Sequence, residues 1–177
     1  MTYPVFATGD VLPASDMNAI GLWLVKSQTV GSGVSSVTVT GAFNANFDNY
    51  LITYTGGVQS TTVDGFLRLG ASTTNYAFQI IYAAFGAGSV STYGLASSSS
   101  FLYAISGDAN GSWMNCQLFN PFKTTYTTLN AAIVGSGTTP IYLGGMHKTA
   151  ASYTDFTIGP NLGTLTGGTI RVYGMRN

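Results

Sequence analysis

The chain has 177 residues, and its six basic and six acidic side chains give a formal net charge of zero. Its hydrophobic fraction of 45% excludes a disordered chain, since disorder requires low hydrophobicity. Six cations cannot form the basic surface that nucleic-acid binding needs, and no apolar run approaches the ~18 residues of a membrane-spanning helix. The 23 glycines and the 13% of aromatic residues are typical of an all-β protein.

The first predicted element is a short helix over residues 14–26. Its apolar side chains recur at helical spacing, at Met17, Ile20, Trp23 and Leu24. Asp16 would lie in the first turn and Lys26 near the end, where each charge suits the helix dipole. We therefore predict an arm over residues 1–33 that contains this helix.

After residue 33, short β-branched and aromatic segments alternate with turn residues about every ten positions, which indicates a sandwich or barrel. Alternation within the segments predicts an antiparallel sheet with one face in the core. Asn110-Gly111 predicts a hairpin turn, and 86–89 and 97–100 predict loops. The predicted strands of this second domain (residues 34–177) are 35–40, 50–55, 66–69, 76–83, 101–106, 112–119, 126–134, 141–147, 155–158 and 169–174.

Residues that carry chemistry are few. His147 is the only histidine and Cys116 the only cysteine, and no Gly-x-Ser-x-Gly segment nominates a nucleophile. The spacings of known metal sites and nucleotide loops are missing, so we expect no metal, no cofactor and no enzymatic activity. Asp48, Asp64 and Asp108 lie beside Asn or Gly, where capping of turns is the default role.

The eleven tyrosines and ten phenylalanines have three possible roles that the sequence leaves open. They can fill the core, form a subunit interface, or contact a sugar. In a lectin, Tyr76, Tyr82, Tyr93 and Trp113 would form the stacking platform.

The N-terminal segment Phe6-Ala7-Thr8-Gly9-Asp10-Val11-Leu12-Pro13-Ala14-Ser15-Asp16-Met17-Asn18 resembles the start of many tail and fibre proteins of tailed bacteriophages. Those proteins often have Thr where this chain has Pro13. The resemblance implies that the segment docks a fibre onto the virion. The residues it nominates for virion anchoring are Phe6, Gly9, Leu12, Asp16, Met17, Asn18 and Trp23.

The C-terminal segment Gly167-Gly168-Thr169-Ile170-Arg171-Val172-Tyr173-Gly174 is similar to the ending of a group of small phage structural proteins. Phe47-Asp48-Asn49-Tyr50-Leu51-Ile52 and Phe119-Asn120-Pro121 resemble the same group. The resemblance implies a homotrimeric antiparallel β-sandwich, jelly-roll-like, with an N-terminal anchor.

We therefore expect a non-enzymatic protein on the exterior of a phage particle, a tail fibre that joins another virion protein through residues 1–33. Its partners would be two further copies of itself and a host-surface glycan, with neither nucleic acid nor membrane. The alternatives are a capsid decoration or head fibre protein, a free carbohydrate-binding module, and a depolymerase whose Asp residues come from two chains. The residues expected in host-binding loops are Tyr93, Ser97, Ser98, Asp108 and Asn110.

Overall fold

The computed structural model describes residues 8–9, 21–135 and 139–175. Within these residues every regular element is a strand, and no helix has the length and hydropathy needed to span a bilayer. The strands are β1 (Leu22–Thr29), β2 (Val37–Val39), β3 (Asn49–Gln59), β4 (Gly65–Leu69), β5 (Tyr76–Tyr82), β6 (Ser91–Ser98), β7 (Phe101–Asp108), β8 (Gly111–Phe119), β9 (Thr127–Gly135), β10 (Thr139–His147), β11 (Phe156–Pro160) and β12 (Leu165–Met175).

The strands form two antiparallel layers, which confirms the prediction of a mainly β, antiparallel protein. The larger sheet has the order β1-β12-β3-β8-β9-β10-β5-β6, and the smaller has the order β2-β11-β4-β7. Strand β7 joins the layers, since its first half pairs with β4 and its last three residues pair with β8. Every strand of the larger sheet thus has a defined neighbour, which fixes which side chains share a face.

The core lies between the two sheets because alternate side chains of each strand point inward. Tyr50, Ile52 and Tyr54 of β3 are fully buried, while the residues between them are only half-buried. Rings from opposite layers meet: the Tyr76 and Phe101 centroids are 4.9 Å apart, edge to face. The Tyr76 hydroxyl also accepts the Leu69 N–H at 2.8 Å, so this buried polar group is paired.

Strand β7 changes direction at a bulge. Gly65 lies opposite Ile105 and Phe66 opposite Leu102, so β7 has additional residues at this point. One of these is Tyr103, at a φ of +63°, a backbone conformation that non-glycine residues rarely adopt. The bulge lets β7 leave the smaller sheet and continue along β8.

The helix predicted for residues 14–26 is wrong over residues 22–26, which are a strand in the structure. Residues 22–26 belong to strand β1, which pairs with the edge of β12 from Leu22–Met175 to Thr29–Thr169. Pairing satisfies backbone groups that β12 would otherwise present at a sheet edge, and this outweighs the helical spacing of the apolar residues. Residues 14–20 lie outside the described residues.

The predicted domain boundary at residue 33 lies within a segment that is hydrogen-bonded to β12 on both sides of the boundary. The Val30 N–H donates to the Gly168 carbonyl at 3.0 Å, and the Gly33 N–H donates to Thr166 Oγ1 at 2.9 Å. An isolated bridge pairs Val34 with Leu165. Residues 22–33 are therefore part of the β-sandwich rather than of a separate arm.

Each of the ten predicted strands coincides with an observed one, and β6 was missed. The β6 sequence STYGLASS lacks the alternation of a strand, and its last residues, Ser97 and Ser98, were predicted to lie in a loop. The hairpin between β7 and β8 is confirmed with its turn shifted by one residue. Asp108 pairs with Gly111, and Asp108 Oδ1 accepts the Asn110 N–H at 2.7 Å.

Candidate functional site

A groove of about 590 Å³ crosses the outer face of the larger sheet, over strands β8, β9, β10 and β5. We call it the amide groove, because four of its lining side chains are primary amides. Its outward-facing lining residues are Gln79, Ile81, Asn115, Gln117, Asn130, Ala132, Tyr142 and Gly144.

The strand register assembles the amide groove in two adjacent rows. In the first row Gln117 lies opposite Asn130, Asn130 opposite Gly144, and Gly144 opposite Gln79. Neighbouring strands are about 4.8 Å apart, so the amides at the two ends of this row are separated by roughly 14 Å. That length suits an extended chain of two or three linked rings rather than a single small ion.

The second row runs beside the first along the same face. Ala132 lies opposite Tyr142, and Tyr142 opposite Ile81. The Tyr142 side chain is 64% exposed and Ile81 is 50% exposed, so both offer apolar surface to a ligand. An exposed tyrosine ring is the side chain on which the apolar face of a sugar stacks, with its hydroxyl free to bond.

The groove is concave because its central residues are small. Gly144 has no side chain, and a Cβ built on it would meet no atom within 4 Å. Ala132 fills the corresponding place in the second row. The longer side chains of Gln79 and Gln117 stand on either side, so the floor lies lower than the walls.

The amides of the groove are free to bind a ligand. Within the described residues, the side chains of Asn115, Gln117 and Asn130 make no hydrogen bond to protein, and Gln79 makes one weak bond of 3.4 Å to the Ile80 carbonyl. Each amide offers two donors and an acceptor oxygen. No charged side chain is among the described residues lining this groove, so its chemistry is that of a neutral, hydroxyl-rich ligand.

The residues predicted for host binding do not form one loop cluster. Tyr93, Ser97 and Ser98 lie on β6, an edge strand of the larger sheet. Asp108 and Asn110 lie at the turn between β7 and β8, and β9, β10 and β5 separate β8 from β6. Asp108 caps that turn, as was predicted for it.

The residues predicted for virion anchoring fall mostly outside the described residues: Phe6, Leu12, Asp16, Met17 and Asn18. Gly9 lies in an exposed turn at a φ of +100°, which suits glycine. Trp23 lies on β1 opposite Gly174 and is 37% exposed.

Of the residues predicted to form the stacking platform of a lectin, Tyr76 is excluded by the structure. Tyr76 is fully buried between the sheets and cannot meet a ligand. Tyr82 and Tyr93 line a different cavity, and Trp113 lies beside the β7–β8 turn.

His147 is a buried core residue. Its Nε2 lies 2.9 Å from Ser72 Oγ and 3.2 Å from the Thr74 carbonyl, and its Nδ1 lies 3.3 Å from the Tyr153 hydroxyl. Burial lowers the pKa of His147, which favours the neutral ring. Its described contacts pair it with hydroxyls and a carbonyl, the pattern of a satisfied core histidine.

Sequence reasoning missed the amide groove as a site. All of its amides fell in predicted strands, and alternation placed them on the outer face. The four amide side chains lie close together only because of the residues that are opposite one another across four strands. No feature of a single strand specifies that register.

No protein family profile and no curated protein sequence matches the chain. Solved structures with a similar course include one described as CBM4 structure and function (11% identity, TM-score 0.21, 80% of this chain and 82% of that chain). TmCBM61 in complex with β-1,4-galactotriose shows 11% identity and a TM-score of 0.21 over 88% of this chain and 91% of that one. A structure of infectious bursal disease virus, Gt strain, shows 14% identity and a TM-score of 0.23 over 90% of this chain and 36% of that one. These similarities are too distant to assign a function.

Proposed function

We propose that the chain is a non-enzymatic recognition domain of a bacteriophage virion fibre, which binds a neutral glycan of the host surface in the amide groove. The proposal of glycan binding rests on one observation, the row formed by Gln117, Asn130, Gly144 and Gln79. Over an open floor it presents two amides that have no hydrogen-bond partner among the described residues, Gln117 and Asn130, and a third, Gln79, with one weak bond. Paired donors and acceptors on a rigid sheet match the adjacent hydroxyls of a sugar, and exposed Tyr142 supplies the stacking surface.

We propose that the sandwich is an eight-stranded jelly roll enlarged by the β9-β10 hairpin and, beside β3, by β12 and β1. The order β2-β11-β4-β7 in one layer and β3-β8 followed by β5-β6 in the other supports this, because it interleaves early and late strands as two Greek keys do. The additional hairpin, β9-β10, is inserted between β8 and β5. It supplies Asn130, Ala132, Tyr142 and Gly144, so the insertion would have created the groove.

The virion assignment is supported by the resemblance of both chain ends to phage structural proteins. An exposed apolar edge is consistent with it: Leu22, Trp23 and Leu24 of edge strand β1 are 51%, 37% and 56% exposed. Contiguous exposed apolar residues on an edge strand mark a surface that an assembly covers. We propose a homotrimer, whose mass in light scattering should be three times 18.5 kDa.

The binding test is a glycan array probed with the full chain and with the Gly144→Val variant, whose side chain would fill the floor. Neutral oligosaccharides should bind the wild-type chain, and the variant should lose that signal. Binding only to charged glycans, or equal binding by the variant, would contradict the proposal.

The location test is immunogold microscopy of the source particle with an antibody against residues 34–177. Label on the tail or its tip supports the fibre. Label over the capsid would replace it with a decoration protein, and a particle without label would remove the virion assignment while leaving glycan binding to be judged by the array.

A further inference from the structure

A second cavity, of about 360 Å³, lies on the inner face of the larger sheet, since its lining residues on β5 and β10 alternate with those of the amide groove. We call it the tyrosine pocket. Its chemistry comes from Asp64, Tyr82, Tyr93 and Tyr103, which the loop before β4 and strands β5, β6 and β7 bring together. None of the described residues lining it is Lys, Arg or His.

The Asp64 carboxyl group has no hydrogen-bond or ion-pair partner among the described residues. Its Oδ1 is buried and makes no hydrogen bond to any described residue, and the ion pair of the described chain joins Lys123 to Asp48 instead. A Cβ on Gly135 would lie 3.1 Å from that oxygen, so the carboxyl group rests directly against a backbone without a side chain. Burial raises the pKa of Asp64 to about 6, and the carboxylate is therefore mostly ionised at neutral pH.

Aromatic rings stand around this carboxylate. The centroids of the Tyr93 and Tyr103 rings are 6.0 Å apart and the ring planes are inclined at 71°, so the two rings form adjacent sides of the pocket. Phe78 backs both rings at 6.0 and 6.2 Å. Burial raises the pKa of Tyr103, and the charge of Asp64 raises it further, which places the acid within electrostatic reach of that phenol.

The backbone at Tyr103 is held in a conformation that costs energy. A tyrosine at a φ of +63° is strained, and such residues are concentrated at functional sites. The bulge in β7 places the Tyr103 side chain against Tyr93 and in the lining of the pocket. A plain strand at this position would continue the alternation and would not need the strained residue.

We propose that the tyrosine pocket binds an alkylammonium cation of the trimethylammonium type. Tyrosine faces attract a cation through the ring quadrupole, and a desolvated carboxylate supplies the opposite charge. Three phenols against one carboxylate favour a quaternary ammonium over a primary one, because a primary ammonium needs a hydrogen-bond acceptor for each N–H. This inference does not depend on the proposed glycan binding, since the two cavities have separate chemistry.

Binding should weaken in acid. The titratable groups that face the pocket are Asp64 and the three tyrosines, and burial raises the pKa of Asp64 to about 6. Asp64 is therefore the group that changes its charge between pH 5 and pH 8.

The test is a calorimetric and NMR titration of the full chain with choline at pH 7.5 and pH 5, with 3,3-dimethylbutan-1-ol as its uncharged isostere. Choline should bind at pH 7.5 and several-fold more weakly at pH 5, with a limit of about tenfold set by a pKa of about 6, and the alcohol should bind at least tenfold more weakly than choline. Asp64→Asn and Tyr93→Leu should each reduce choline affinity at least tenfold. Asp155→Asn, at a half-buried position elsewhere, and Tyr126→Leu, at an exposed one, are matched controls that should leave it unchanged.

Each of three outcomes would overturn the proposal: no saturable choline binding at pH 7.5, equal binding of the alcohol, or wild-type affinity in both pocket variants. Tyr93 is 41% exposed, so Tyr93→Leu tests the pocket even if Asp64→Asn changes the fold. Loss of glycan binding with retention of choline binding, or the reverse, separates this proposal from the one above.

Discussion

Asn130 on β9 lies directly opposite Gly144 on β10, so a free amide stands beside an empty position on the exposed face. Gln117 lies on the other side of Asn130, and the Gln79 side chain follows Gly144 on the next strand. A rigid antiparallel ladder holds these groups in place, which removes most of the ordering cost that a loop-borne site would incur on binding.

We expect Gly144→Val to abolish glycan binding without loss of stability. The added side chain meets no atom within 4 Å at its Cβ, and a β-branched residue suits a strand. The measurements are glycan affinity and the thermal midpoint. Gly88→Val is the matched control, because a Cβ at Gly88 also meets nothing within 4 Å and lies in a loop away from the groove. Unchanged affinity in Gly144→Val would contradict the assigned floor.

We expect Asn130→Ala and Gln117→Ala each to weaken glycan binding by about 2–12-fold, the equivalent of roughly 0.5–1.5 kcal/mol per hydrogen bond. Both amides are unpaired in the described chain, so the free energy of unfolding should change little. Isothermal calorimetry with the best array ligand gives the affinities. Asn161→Ala removes an exposed amide elsewhere and should bind as the wild type does; equal losses in all three variants would argue against a specific site.

We expect the Cys116 thiol to be unreactive in the folded protein. It is buried on β8 facing the core, and burial raises its pKa to about 12, so almost no thiolate exists at neutral pH. Ellman's reagent should label one thiol per chain in guanidinium and none without it within an hour. Rapid labelling of the native protein would show that β8 opens or is misplaced.

We expect acid to destabilise the fold through His147. Burial lowers its folded pKa below the ordinary value of about 6.5, so the unfolded chain takes up the proton first. The contribution of His147 to stability is complete above about pH 6.5 and is lost progressively as the pH falls below that value.

Urea unfolding of the wild type and of His147→Gln at pH 8, 6 and 5 measures this effect as the difference between the two proteins. The difference should shrink toward acid. Asp64, whose pKa is raised to about 6, acts in the opposite direction, because its burial penalty is relieved as the pH falls through 6 toward 3.8. Both proteins contain Asp64, so subtracting the free energy of unfolding of His147→Gln from that of the wild type removes the Asp64 contribution. A difference that does not change with pH would show that His147 has the same pKa in the folded and unfolded states.

We expect the position of an N-terminal truncation to decide whether the sandwich survives. Removal of residues 1–20 leaves β1 paired with β12, so the thermal midpoint should hold. Removal of residues 1–30 deletes β1 and buried Val30 and uncovers the edge of β12. We expect this longer truncation to cost at least about 2 kcal/mol and to promote self-association. Thermal melting and light scattering check both; equal behaviour would place β1 outside the stable fold.

Local residue patterns account for much of this molecule. Val39, Ile170 and Val172 are buried in the core and Val37 packs half-buried against it, as the alternation in Val37-Thr38-Val39 and Ile170-Arg171-Val172 predicts. Asp108 caps a hairpin next to Asn110-Gly111, because an Asx side chain bonds its own turn wherever the turn falls. Strand β1 and strand β6 departed from prediction, since both are edge strands whose pairing depends on a distant partner rather than on their own periodicity.

Alternation along a strand is a local property, so the residue pattern alone predicts a low-charge antiparallel β protein and the inward or outward direction of many side chains. The pairing and packing of distant strands, in contrast, place Gln117, Asn130, Gly144 and Gln79 in one row and bring Asp64, Tyr93 and Tyr103 into one pocket. The register across the strands and the bulge in β7 determine which of these side chains become neighbours. Both depend on how distant segments pack together, and no short stretch of residues encodes that packing.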